Sequence, residues 1–122
     1  LRCRPPHYSV EPVPLPFADK DVAQGMTVWA LGHPYNQGWD ICRGIIRHPT
    51  RVINVWQRPQ HVYGLDVPIN PGNSGGALVN AEGELVGVPN AGAQGANNFT
   101  FAIPKQYVEA LLKKAGVGWT RG

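Results

Sequence analysis

The sequence predicts an all-β fold with many turns, followed by a single helix near its end. Glycine and proline are both abundant, 15 and 12 of 122 residues. They cut the chain into short apolar runs of strand length. Apolar residues recur at helical spacing only late in the chain, at Tyr107, Val108, Leu111, Leu112 and Ala115. The length suffices for one domain with a real core.

Leu1 to Arg4 is short, alternating and partly apolar, which suits the end of a strand. Pro5 to Pro16 holds five prolines and no helical period, so it reads as an extended connector lying over a surface. Met26 to Gly32 reads as a buried strand after a turn at Gly25. Gly32 to Gly38 is a loop, bracketed by glycine and containing Pro34. Ile41 to Arg47 gives a second strand and Val52 to Trp56 a third, edged by Arg51 and Arg58, whose charges read as a solvated face. His61 to Val67 is a further strand.

Ala77-Leu78-Val79 and Leu85 to Val88 then form two apolar strands joined by a polar, glycine-containing turn. Asn90 to Asn98 is small, polar and glycine-rich, the composition of a flexible loop. Phe99 to Ile103 is the last strand. Pro104 suits the first helical position and Gly116 a C-terminal stop. Lys105, Lys113 and Lys114 are expected to face away from the core.

The chemistry concentrates in Ile69-Asn70-Pro71-Gly72-Asn73-Ser74-Gly75-Gly76, which runs into the Ala77 strand. Pro71 fixes its own φ, and the glycines reach backbone angles closed to other residues. Such a bend holds a serine hydroxyl outward with main-chain N–H groups beside it, as a nucleophile next to an oxyanion hole requires. Gly72 to Gly76 taken alone reads first as an ordinary hairpin turn. The strand pair that follows shifts the balance towards a nucleophile loop.

Asp66 to Val88 resembles the active-serine segment of the HtrA (Deg) serine proteases, in the trypsin-like superfamily. Phe17 to Asp21, Gly25 and Val28 to Tyr35 resemble the approach to that family's second barrel. Gly44-Ile45-Ile46 resembles its next strand, and Phe101 to Pro104 with the helix its exit. The likeness runs from about Leu15 to Lys114. It implies an antiparallel six-stranded trypsin-like β-barrel, the second barrel only, with a C-terminal helix. It divides the chain into a connector between barrels (1–16), the barrel with its helix (17–116) and a tail (117–122).

The resemblance also implies roles. Ser74 would be the nucleophile, and the N–H groups of Gly72 and Ser74 the oxyanion hole. Val67, Pro68 and Ile69 with Asn90, Ala91 and Gly92 would wall the pocket for the substrate residue before the scissile bond. No charge lies in those segments, so a small or medium apolar side chain is expected there. In the family the catalytic histidine and aspartate come from the first barrel. The chain is therefore expected to begin just after that aspartate and to be inactive alone. None of His7, His33, His48 or His61 stands at a matching position; His33 lies in a loop that shapes the barrel. Asp19 and Asp21 fall in a solvated turn, and Asp66 in a position that supports the serine loop.

The expected function is the C-terminal barrel of an HtrA-like serine endopeptidase. Its expected partners are a peptide or unfolded-protein substrate and the missing N-terminal barrel, with homo-oligomers favoured by the apolar face that barrel would cover. A PDZ domain often follows such a helix in the family, and its members are commonly exported or periplasmic. Two other readings stay open: a non-catalytic peptide-binding barrel, and a serine activated by a local histidine.

Composition narrows the remaining classes. The formal charge of +3 is modest and no lysine–arginine cluster with interleaved aromatics occurs, so nucleic acid is not an expected partner. No apolar run approaches a membrane span of roughly 20 residues. The first six residues lack the apolar core of a signal peptide. Cys3 and Cys42 could pair or stay free, with free thiols preferred; their spacing suits neither a zinc site nor a CxxC motif, and no metal or cofactor is expected.

Overall fold

A computed structural model describes residues 14–33, 38–55, 57–69, 72–94 and 97–118. The readings on Leu1 to Arg4, on most of the proline-rich connector, on His7 and Cys3 and on the last four residues lie outside the described residues. Six strands follow in order: β1 (Thr27–Gly32), β2 (Asp40–Val55), β3 (Arg58–Asp66), β4 (Ala77–Val79), β5 (Leu85–Gln94) and β6 (Asn97–Pro104). The helix α1 (Lys105–Lys114) follows them. The strands form a closed barrel in the order β1-β2-β3-β6-β5-β4, and every pairing between them is antiparallel. The expected fold is thus the observed one.

Alternation builds the core. In β1, Val28, Ala30 and Gly32 are buried while their neighbours are not, because successive side chains point to opposite faces. Val28 and Ala30 meet Ile46, Tyr63, Leu65, Val67, Leu78, Val86 and Ala102 in one apolar cluster. Phe17 and Ala18 close one edge: Ala18 N–H donates to Leu85 O at 2.9 Å, and Leu85 N–H to Pro16 O at 2.8 Å. Asp19 and Asp21 are exposed.

Several expectations are corrected. Ile41 to Arg47 and Val52 to Trp56 are not two strands; residues 40–55 are one strand. Its register against β3 slips between Ile46 and His48 and again between His48 and Arg51. Each slip is a bulge, and Pro49 sits in the second, where its missing N–H interrupts no ladder bond. The expected loop at Asn90 to Asn98 is mostly ladder: Asn90 pairs with Phe101, and the pairing continues to Gln94 with Asn97. Long-range partners override a loop-like composition there.

The helix is corrected at its sides. Lys105 faces inward, 8% exposed, and its Nζ donates to Ala18 O and, at 2.9 Å, to Lys20 O. Tyr107 and Leu111 are instead exposed. Pro104 is the cap residue, one position before the helix proper. The C-terminal stop is where expected. Gly116 has φ +74°; its N–H reaches Lys113 O and the Val117 N–H reaches Leu112 O, a Schellman closure.

Candidate active site

The serine bend lies between β3 and β4, strands that are not neighbours in the barrel. The chain must therefore cross one end of the barrel to reach β4, which sits between β1 and β5. Gly72 and Gly75 take φ of +104° and +83°, angles that a side chain strongly disfavours. Between them Asn73 is wholly buried and Ser74 exposed. The bend thus sends the carboxamide inward and the hydroxyl to solvent.

Main-chain hydrogen bonds fix the bend from three directions. His33 N–H, just past β1, donates to Gly72 O at 3.2 Å; Gly75 N–H donates to Pro89 O of β5 at 2.9 Å; Gly76 N–H closes on Asn73 O at 3.0 Å. Gly76 also lies against Leu31 O, where a Cβ would not fit. The Gly75 donor is therefore spent. Among the described residues, no hydrogen bond engages the Gly72 and Ser74 N–H groups or the Ser74 hydroxyl. These two donors beside an exposed hydroxyl can stabilise a negative oxygen.

Of the residues expected to wall a pocket, Val67 to Ile69 precede this bend in the chain, and Asn90 lines a cavity with Gln60, Phe101, Ile103 and Tyr107. Val67 is buried, Ile69 half-buried and Pro68 exposed. Asn90 is exposed at the residue after Pro89, while Ala91 and Gly92 continue β5 opposite Thr100 and Phe99. Thr100 Oγ1 donates to Leu65 O at 2.9 Å, tying β6 to the end of β3. Asp66 ends β3 exposed, its carbonyl packed on Gly44.

The rings of His33 and His61 are engaged in contacts of their own. His33 approaches through its main chain, while its ring meets Trp39 edge-on at 5.5 Å. His48 lies at the β2 bulges. His61 Nε2 pairs with Pro49 O at 2.9 Å and its ring abuts Tyr63 and Tyr107. It lines a groove of about 650 Å³ with Asp19, Asp21, Tyr63, Lys105 and Glu109. Burial pushes the Tyr63 phenol up to about 12, helped by Asp21 and then Tyr107. Among the described residues no trio of histidine, cysteine or acidic side chains is placed to hold a metal ion.

Sequence reasoning missed the supports of the bend. Asn73 Nδ2 donates to Cys42 Sγ at 3.9 Å, and the free Cys42 thiol donates to Asp40 Oδ2 at 3.7 Å. Burial raises the thiol pKa, and the Asp40 carboxylate raises it further. Nothing in the residue types of 32, 42 and 73 announces that they meet; the register of β1 on β2 sets Gly32 opposite Asp40 and Ala30 opposite Cys42, and Asn73 joins them through the bend.

A closed six-stranded antiparallel barrel with an exposed serine on a glycine bend and one C-terminal helix matches a trypsin-like barrel. Residues 1–88 match the family model of the trypsin-like peptidase domain. The chain belongs to the trypsin-like peptidases, in their HtrA/Deg-like branch. It is 40% identical over 97 residues to the serine endoprotease DegS of Escherichia coli, covering 74% of this chain and 27% of that protein. It is 34% identical over 108 residues to the Do-like serine protease HtrA of Lactobacillus helveticus, covering 80% and 26%. The chain thus spans about a quarter of the length of these relatives.

Solved structures agree. A serine endoprotease from Yersinia pestis superposes with a TM-score of 0.65 at 33% identity, covering 82% of this chain and 34% of that one. The inactive form of the Rv3671c protease gives 0.74 at 26% identity, covering 92% and 59%.

Proposed function

We propose that this chain is the C-terminal barrel of an HtrA-like serine endopeptidase and supplies its nucleophile. The observation that carries the reading is the bend itself: Ser74 exposed, Asn73 buried, and two adjacent N–H groups without partners among the described residues. Ser74 Oγ attacks the peptide carbonyl carbon, and the Gly72 and Ser74 N–H groups receive the oxyanion. Losing one such donor costs about 10²–10³ in rate. A histidine of the N-terminal barrel, oriented by an aspartate, takes the serine proton and later returns it to the leaving amine. Val67 to Ile69 and Asn90 to Gly92 wall the pocket, which takes a small or medium apolar side chain of a peptide or unfolded protein.

In this reading residues 1–16 join the two barrels, 17–116 fold as the second barrel with its helix, and 117–122 form a tail. The isolated 122-residue chain does not turn over peptides. The test compares hydrolysis of a fluorogenic peptide by the protein carrying both barrels, by its Ser74→Ala variant, and by this chain alone. Activity only in the first is expected. Hydrolysis surviving Ser74→Ala would refute the nucleophile, and Ser74-dependent turnover by the isolated chain would refute the missing base. Tight peptide binding without hydrolysis in all three would identify a non-catalytic peptide-binding barrel.

A further inference from the structure

We infer that Cys42 is a positioning residue for Ser74, acting through the Asn73 carboxamide; this rests on the reading of Ser74 as nucleophile. Asn73 is the residue directly before the serine, and its side chain is wholly buried. That side chain is the inward peg of the bend. Its Oδ1 has no hydrogen-bond partner among the described residues and lies against Gly32, where even a Cβ would collide with it. Its Nδ2 donates to Cys42 Sγ. The thiol is therefore the one hydrogen-bonding hold on this carboxamide among the described residues.

The sulfur is itself fixed. Its S–H donates to Asp40 Oδ2, while Asp40 Oδ1 accepts the Ile41 N–H at 3.0 Å. A thiol can donate and accept at once, weakly in each direction. A relay runs from Asp40 through Cys42 and Asn73 to the bend. A buried amide donor that loses its acceptor is driven to find another. Asn73 can do so only by turning, and Ser74 is its covalent neighbour. The raised thiol pKa fits this role, because it keeps the sulfur protonated and slow to react at neutral pH.

The test uses Cys42→Ala and Cys42→Ser in the protein carrying both barrels, with peptide hydrolysis and melting temperature measured together. A displacement of about 1 Å at a reacting group costs about 10²-fold in rate. Cys42→Ala is expected to lose about tenfold to a hundredfold in kcat with KM nearly unchanged. Cys42→Ser, which restores an acceptor, is expected to recover most of that loss. An unchanged kcat in Cys42→Ala would overturn the inference, as would equal losses in both variants.

A second measurement covers variants that fail to fold. In a Cys3→Ser background, the pH profile of Cys42 alkylation is compared with and without Asn73→Asp. Removing the Nδ2 donor should move the profile to higher pH; coincident profiles would overturn the contact. Hydrolysis surviving in Ser74→Ala would sink the nucleophile reading, and this inference with it. Loss in Ser74→Ala with full kcat in Cys42→Ala would sink the positioning role alone.

Discussion

Gly32→Ala is the sharpest single perturbation of this barrel. Gly32 ends β1 and is buried, and the added Cβ would stand 2.7 Å from Asn73 Cα and 2.9 Å from its Cγ. Unstrained carbon pairs sit at about 3.5–4.0 Å, so β1 and the serine bend must separate by about 1 Å. The nearest obstruction is the Asn73 carboxamide oxygen, but the obstructing Cα is main chain, so turning that side chain cannot relieve the clash. Overpacking of this kind costs about 1–3 kcal/mol. For a domain of this size each kcal/mol lowers Tm by about 3–6 °C. The bend should also lose its bond from His33 N–H to Gly72 O, raising amide exchange at residues 72–76. Gly25→Ala is the control: it carries φ +83° with nothing within 4 Å. It should cost about 1–2 kcal/mol from backbone conformation alone and leave exchange in the bend unchanged. Urea denaturation and amide exchange of both variants decide the matter. A Gly32→Ala chain within about 0.5 kcal/mol of wild type, the scatter of ordinary surface changes, would refute the close approach of β1 to the bend.

Two further outcomes are expected. Tyr63 titrates near 12 in the fold against about 10 in the unfolded chain. The native state therefore holds this proton more tightly; the stabilisation is whole below pH 10 and fades as pH rises through 12. The difference bounds the effect at about 3 kcal/mol, and the urea midpoint of wild type should fall more steeply above pH 10 than that of Tyr63→Phe; parallel curves would refute it. The outward face of β2 carries Trp39 just before it and then Ile41 and Ile45, 85%, 65% and 39% exposed. The isolated chain should self-associate through that face. A monomer by light scattering at high concentration, or association undiminished in Trp39→Ser with Ile41→Thr, would refute this.

What was legible in the sequence divides along a physical line. Local patterns announced β1, the strand pair around Asn80 and Gly83, and the helix stop at Gly116, because each depends on residues a few positions apart. Asn80 illustrates this: its Oδ1 accepts the Glu82 and Glu84 N–H groups, a turn written in one short stretch. The misreadings at Pro49 and at Asn90 to Asn98 share a cause. Proline and glycine mark breaks in an isolated segment, but neither can report that a partner strand will supply the ladder. Lys105 failed for the same reason, since its carbonyl partners lie 85 and more positions earlier in the chain.

The candidate site follows the same division. Ser74 and its glycines are contiguous, so the bend could be read. Its anchors could not, because they arrive from β1, β2 and β5. The strand order explains why they must. β4 is seated between β1 and β5, whereas β3 lies across the barrel beside β6, so any chain leaving β3 for β4 passes over one barrel end. It comes down where the His33 N–H and Pro89 O are already waiting. A crossing tethered at both flanks can tolerate two glycines in left-handed angles without becoming loose, because neighbouring strands hold it in place. Topology thus does for the bend what no local preference could: it turns the most permissive stretch of backbone into one with a single inward and a single outward side chain.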